Sequence, residues 1–171
     1  IFNSKMRRPG ICGASETLLI DKSLSNEALN LIKDLIAAKC EIRGDKFISQ
    51  LNPSFKEASD EDWGMEYLDK IISVKIVDGI HQAIQHINKY SSGHTESIIT
   101  EDKKIFEIFY KQINSAIILQ NASTQFADGG EFGFGAEIGI STDMLHVRGP
   151  VGAEHLTSFK YVIHGNGQVR S

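Results

Sequence analysis

Between Ile71 and Gln120 the chain switches repeatedly between two hydrophobic periods, and this constrains its fold more than any other feature. "IISVKIV" (71–77) is a β-branched run that reads as a buried strand. Asp78 stands at the expected cap of a helix through "IHQAIQHINKY", after which "ESIIT" returns to strand character. Helix "DKKIFEIFYKQI" and strand "SAIILQ" complete the series. Strand, helix, strand, helix, strand with short connections builds right-handed crossovers and a largely parallel sheet with flanking helices. The expected class is α/β.

Upstream, "SETLLID" reads as a short buried strand leading into a helix on which Ala28, Leu29, Ile32, Leu35 and Ile36 recur at helical spacing. Ser25 is its expected N-cap, with Leu24 and Leu29 as a hydrophobic staple. Gly44 to Gly64, with Asn52-Pro53 and the acidic "EASDEDWG", reads as loops and short irregular elements. Beyond Asn121 the regularity stops. "NASTQFADGGEFGFGAEIGIST" is too polar for core and too long for a simple turn, and loops of that length are usually functional. "LTSFKYVIHG" alternates near the C-terminus and reads as an edge strand that could serve assembly.

With 171 residues, 41% hydrophobic and 23% charged, the chain has the balance of one ordinary globular unit. A net charge of −4, with no Lys/Arg run beyond "KMRR", argues against a nucleic-acid partner. No apolar run approaches the roughly 20 residues of a membrane helix, and the first residues do not read as a signal peptide. The expectation is a cytoplasmic protein whose two cysteines are free thiols. Among the six histidines only His81 and His86 lie close, and their spacing of five does not bring two rings to one ion on a helix, so no metal site is expected.

Gly133, Gly135 and Gly139 give G-x-G-x-x-x-G, one residue too long for a dinucleotide fingerprint, in a loop that ends a sheet rather than opening a helix. His94, in "SSGHTES" between a helix and a strand, is either a loop histidine or part of a site. Cys40 reads as a small hydrophobe at a helix end. Cys12 differs: it follows Pro9-Gly10, precedes Gly13, and lies where the backbone turns before a buried strand. Lys5, Arg7 and Arg8 are near enough in sequence to favour a thiolate. Spacing alone leaves nucleophile and structural thiol both open.

The segments "NSKMRRPGICGASETLLID", "INKYSSGHTESIITED" and "NASTQFADGGEFGFGAEIGISTDMLHVRGPVGAEHLTSFKYVIHGNGQVR" resemble, in that order, segments of the gamma-glutamyl phosphate reductases, also called glutamate-5-semialdehyde dehydrogenases, of the aldehyde dehydrogenase superfamily. The resemblance covers essentially the whole chain. It implies an oxidoreductase of proline biosynthesis that uses NADP, with Cys12 as catalytic cysteine and the Cys12 backbone N–H as an oxyanion donor. It implies Glu66 as the carboxylate that grips the nicotinamide ribose, and a loop beginning at Asn121, Ser123 and Thr124 that faces the substrate's amino-acid end. It further implies a catalytic domain over 1–152 and a tail over 153–171 carrying an oligomerisation strand.

Family members begin far upstream of "IFNSK", so the expectation is a fragment, whether through a split gene, recombinant design or proteolysis, lacking most of the NADP pocket and inactive or nearly so alone. Its partners would be further copies of itself or a separately encoded N-terminal domain. The alternative is a non-catalytic remnant that serves as an assembly module. One residue departs from the pattern: Gln125 follows "NAST" where the family usually has arginine, exchanging a bidentate charged clamp for a neutral amide. Weakened substrate affinity is the expected result.

Overall fold

A computed structural model describes residues 1–144 and 146–170. In chain order, helix α1 (Phe2–Met6) precedes strand β1 (Thr17–Asp21), helix α2 (Ala28–Ala37), strand β2 (Glu41–Gly44), helix α3 (Lys46–Ser49) and strand β3 (Lys56–Glu57). Strand β4 (Ile71–Val77), helix α4 (Gly79–Tyr90), strand β5 (Thr95–Ile98), helix α5 (Lys103–Gln112) and strand β6 (Ile117–Gln120) follow. All the ladders between these strands are parallel, as expected for α/β.

The β-branched run at 71–77 is central. β4 pairs with β1 on one side (Thr17 opposite Ser73) and β2 on the other (Glu41 opposite Ile71), giving the order β1-β4-β2-β3. A strand with neighbours on both edges and helices over its faces buries nearly every side chain, which explains a continuous apolar run in place of an alternating one. Ile72 and Val74 meet Ile32 and Leu35 of α2, Ile42 of β2 and Ile48 of α3 in the main core.

The expected single sheet is divided. β5 and β6 pair only with each other, Thr95 opposite Ile117, in a separate two-stranded sheet. Its smaller core is formed by Ile84 of α4 with Phe109 and Ile113 at the end of α5. The crossover logic therefore holds for β5-α5-β6, whereas α4 carries the chain from one sheet to the other.

Several local expectations change. Ser25 caps nothing: the carboxylate of Asp21 accepts the Ser23 N–H at 2.9 Å and starts a 3₁₀ turn over Lys22–Glu27, so α2 begins only at Ala28. Leu24 and Leu29 are exposed and form no buried staple. Asp78 occupies the cap position of α4 without a side-chain cap bond. β2, which no expectation covered, ends at Gly44, and Gly44 to Gly64, expected to be loops and short irregular elements, contains the short α3 and β3. Asp45 joins them: one oxygen accepts from Phe47 and Ile48 N–H at 3.0 and 2.9 Å, capping α3, and the other accepts the Ile76 N–H at 2.8 Å. "LTSFKYVIHG" forms no strand; its residues after a 3₁₀ turn at Ala153–Leu156 are exposed, with no neighbouring strand to complete a ladder.

Candidate active site

Cys12 is held on a turn that folds back onto α1. The Ser15 N–H donates to the Ser4 carbonyl at 3.0 Å and the Ala14 N–H to the Ile11 carbonyl at 2.9 Å, which leaves Cys12 exposed at the bend. Gly13 makes the bend possible. A β-carbon there would stand 3.0 Å from the Thr124 carbonyl oxygen and 3.7 Å from the Gln125 α-carbon, so the turn seats directly against residues 124–127. Beneath it Lys5 is fully buried and pairs with Glu16 at 2.5 Å. The other Glu16 oxygen accepts the Leu68 N–H at 3.2 Å, tying down the loop that presents Glu66. One buried ion pair thus fixes both the cysteine turn and the Glu66 loop.

The charges around the sulfur correct the expectation of a cation-activated thiolate. Partial burial, then Glu137, then Glu66 push the Cys12 pKa up, while backbone N–H groups of Cys12 and Gly13 act in the opposite direction. Lys5 is committed to Glu16, and Arg7 and Arg8 are not among the groups that act on the thiol. Cys12 therefore rests as a thiol. Cys40, buried in the main core, is pushed further, to about 11, by burial above all.

His94 belongs to the same space. It is half-buried just ahead of β5, and burial lowers its pKa while Glu137 and Glu66 pull it upward. Its Nδ1 meets the Thr95 hydroxyl at 2.6 Å, which leaves Nε2 for another partner. Cys12, Glu66, His94 and Glu137 thus form one electrostatic cluster drawn from four distant segments. Glu137 was missed in the sequence. Its only signal is a carboxylate inside a glycine-rich loop, and that loop is shaped to hold it: Glu137 accepts the Gly129 N–H at 3.1 Å, and a β-carbon on Gly129 would come within 2.9 Å of the Glu137 β-carbon.

The loop after β6 packs behind the cysteine turn. Asn121 takes a positive φ of 52°, its Oδ1 accepting the Thr100 N–H at 2.8 Å and its Nδ2 donating to the Thr100 carbonyl at 3.0 Å. The Ser123 hydroxyl receives the Ser4 hydroxyl at 3.2 Å and the Gln125 N–H at 3.2 Å. Thr124 is buried and shares a hydrogen bond with Ser15 at 3.0 Å. These side chains fasten the loop to α1 and the cysteine turn. Gln125 does the same from a buried position, its Nε2 donating to the Ser4 carbonyl at 3.1 Å and, at 3.4 Å, to that of Arg8.

Among the described residues no helix is long and apolar enough to cross a membrane, and no group of three His, Cys, Asp or Glu side chains is placed to hold a metal ion. No family model matches the chain. A solved acetylating aldehyde dehydrogenase from Geobacillus thermoglucosidasius shares the fold, with a TM-score of 0.66 at 19% identity over 99% of this chain and 47% of that one. Parallel sheets, flanking helices and a cysteine on a glycine turn define an aldehyde-dehydrogenase-like α/β fold.

The relatives of higher identity narrow this. The gamma-glutamyl phosphate reductase of Bartonella quintana is 60% identical over 171 residues, all of this chain and 42% of that protein. That of Nitrobacter winogradskyi is 57% identical over 99% of this chain and 40% of its own length. The crystal structure of gamma-glutamyl phosphate reductase from Thermotoga maritima superposes with a TM-score of 0.91 at 45% identity, over 99% of this chain and 41% of that one. The chain belongs to the gamma-glutamyl phosphate reductase family and spans about 40% of the length of these curated relatives.

Proposed function

We propose that this chain supplies the cysteine-bearing catalytic part of an NADP-dependent reductase that converts gamma-glutamyl phosphate to glutamate-5-semialdehyde in proline biosynthesis. The observation that carries the reading is Cys12, exposed at a glycine-supported turn, with Glu66 and Glu137 acting on both it and His94. A resting thiol must lose its proton before attack, and the cluster provides two carboxylates and an imidazole as acceptors. The sulfur then bonds to the acyl carbon, the bond from that carbon to the phosphate oxygen breaks, and inorganic phosphate leaves a thioester on Cys12. The main-chain N–H of Cys12 is the donor for the oxyanion that develops before phosphate departs.

Glu66 suits the cofactor role. Its carboxylate is exposed beside Cys12 and has no hydrogen-bond partner among the described residues, leaving it free to accept from ribose hydroxyls. A nicotinamide dinucleotide held there would supply hydride chemistry, and Cys12 would hold the acyl group as its thioester until reduction returns the thiolate. Asn121, Ser123 and Thr124 support the substrate side by holding their loop against the cysteine turn.

Two measurements test this. In the folded chain Cys12 should react with iodoacetamide at least about tenfold faster than Cys40, because it is more exposed and more readily ionised. Equal labelling, or faster labelling of Cys40, defeats the assignment. The chain alone should show no NADPH-dependent turnover, and a matching nucleotide-binding region added to it should restore turnover that Cys12→Ser abolishes. Turnover by the chain alone would contradict the expectation that the cofactor must be held by another region.

A second reading, an assembly module without catalysis, draws on the exposed apolar tail, where Phe159 is 80% and Ile163 89% exposed. It fits copies of this chain or a separately encoded N-terminal domain as partners, and the tail deletion described below addresses it.

A further inference from the structure

Lys5 is 0% exposed, and its Nζ meets Glu16 Oε2 at 2.5 Å. Taking an ammonium out of water is costly, and apolar side chains of similar volume often replace a buried ion pair with no loss of stability. Stability alone therefore does not call for this pair. What it supplies is connection. Lys5 belongs to α1, where the neighbouring Ser4 carbonyl receives the Ser15 N–H of the cysteine turn at 3.0 Å. Glu16 lies between that turn and β1; its own carbonyl accepts the Ser73 N–H of β4 at 2.9 Å, and its second carboxylate oxygen accepts the Leu68 N–H at 3.2 Å.

Leu68 is the receiving end of this connection. Its φ of 53° lies in the left-handed region, which a residue with a β-carbon occupies at a cost and only where its surroundings hold it there. Leu68 is 50% exposed, so core packing does not impose the conformation. The Glu16 carboxylate is the hydrogen-bond partner its backbone has. Next to it, the Tyr67 hydroxyl donates to the Asp62 carboxylate at 2.8 Å and meets the Ser73 hydroxyl at 2.8 Å. Glu66 itself is exposed and forms no hydrogen bond among the described residues. Its place is therefore set by the two residues that follow it.

We infer that Lys5 and Glu16 are positioning residues for the proposed reaction: through the Leu68 N–H, their ion pair sets how far the Glu66 carboxylate stands from the Cys12 turn. This rests on the function proposed above and deepens it. Cys12 has to meet the acyl carbon while Glu66 holds the cofactor ribose, and a displacement of about 1 Å between such groups can cost on the order of a hundredfold in rate. An ionised carboxylate suits the task because both of its oxygens accept, one from each of the two parts to be joined.

The test asks whether Glu66 stays beside Cys12, read from the pH dependence of Cys12 alkylation by iodoacetamide in the 171-residue chain. Burial, Glu137 and Glu66 push the thiol pKa up, so Glu66→Gln should move the alkylation midpoint to lower pH in the native chain. In a chain carrying Lys5→Met and Glu16→Leu, neutral and of similar volume, the same Glu66→Gln shift should fall below about half. Lys5→Met with Glu16→Gln, whose amide oxygen still accepts the Leu68 N–H, should restore it. A pair that served stability alone would change the melting temperature and leave the shift intact. A shift kept in full in the Leu variant, one absent from the native chain, or a Gln variant that behaves like the Leu variant overturns the assignment. Hydrogen exchange needs no substitution and decides the matter if the variants do not fold: the Leu68 N–H should exchange at least about tenfold slower than that of Glu66, and equal rates overturn the link. Fast alkylation of Cys12 with an unaltered Glu66 effect leaves the nucleophile and removes the positioning role. Slow alkylation in the native chain removes the nucleophile, and exchange at Leu68 still decides the link.

Discussion

Around β4 apolar side chains are enclosed on every side: Ile32 and Val74 are 0% exposed and Ile72 1%. Beyond His155 residues of the same kind stand in solvent, with Phe159 80%, Tyr161 83% and Ile163 89% exposed. Both segments carry a strand-like pattern. The difference lies in their neighbours, since β4 has a strand on each edge and helices above, whereas 157–165 has none of these. An apolar pattern specifies a face to be buried, and only a partner supplies the burial.

Mutation of the two regions should give unequal effects. Ile72→Ala, which opens a cavity in the enclosed sheet, should cost about 2–5 kcal/mol in urea denaturation, while Ile163→Ala should leave the midpoint unchanged. Comparable losses would show that the tail is packed in solution.

Acid probes the boundary between the two sheets. His86 on α4 lies edge-on to Trp63 at 5.3 Å between ring centroids and 4.8 Å from Tyr90, with Nε2 buried and lacking a partner. Burial, and then the positive charges of Lys75 and Lys89, press its pKa down from 6.5 to about 4. Falling pH protonates the unfolded chain near 6.5 and the folded one only near 4, so stability is whole above that window and drains away as pH falls through it. The full effect is on the order of 3 kcal/mol. Thermal melts from pH 7 to 4 should show a steeper loss for the native chain than for His86→Phe; parallel curves would mean that the ring is already solvated. Trp63 leads into the Glu66 loop, so cysteine labelling over the same pH range would report whether the site loosens with it.

The smallest effect on stability should come from ending the chain at Gly152. Its melting temperature should stay the same, while sedimentation should show loss of any self-association mediated by Phe159, Tyr161 and Ile163. If both chains run as monomers, or both as the same oligomer, the tail is not the assembly element.

Legibility in the sequence follows the same contrast. β4 could be read to the residue because its seven residues, six of them β-branched or small, have no helical face to offer, and α5 because Asp102 caps it through the Lys104 and Ile105 N–H groups. β2 was hidden, since four residues of "EIRG" are too few to establish a period and their pairing depends on β4, about 30 residues away. The start of α2 went astray because Asp21 and Ser25 are both good caps, and the choice between them is made by how the chain leaves β1. In the site, the residues flanking Cys12 announced a turn but left nucleophile and structural thiol both open, and the catalytic reading came from the resemblance alone. Glu137 was not visible, because its place beside Cys12 arises from a loop anchored more than a hundred residues downstream, where glycine spacing carries no hydrophobic signal.

Gln125 donates to the Ser4 carbonyl across 121 positions of sequence, and Thr124 and Ser123 reach α1 over similar spans. The cysteine turn is therefore set in place only when residues more than a hundred positions further along the chain have docked against it. Until Gln125 is in place, Cys12 is an ordinary thiol on an unanchored segment, without the loop after β6 behind it. The surroundings of Cys12 are complete only once residues 123–137 have docked, so a chain that has not yet reached Gln125 carries the cysteine without its setting.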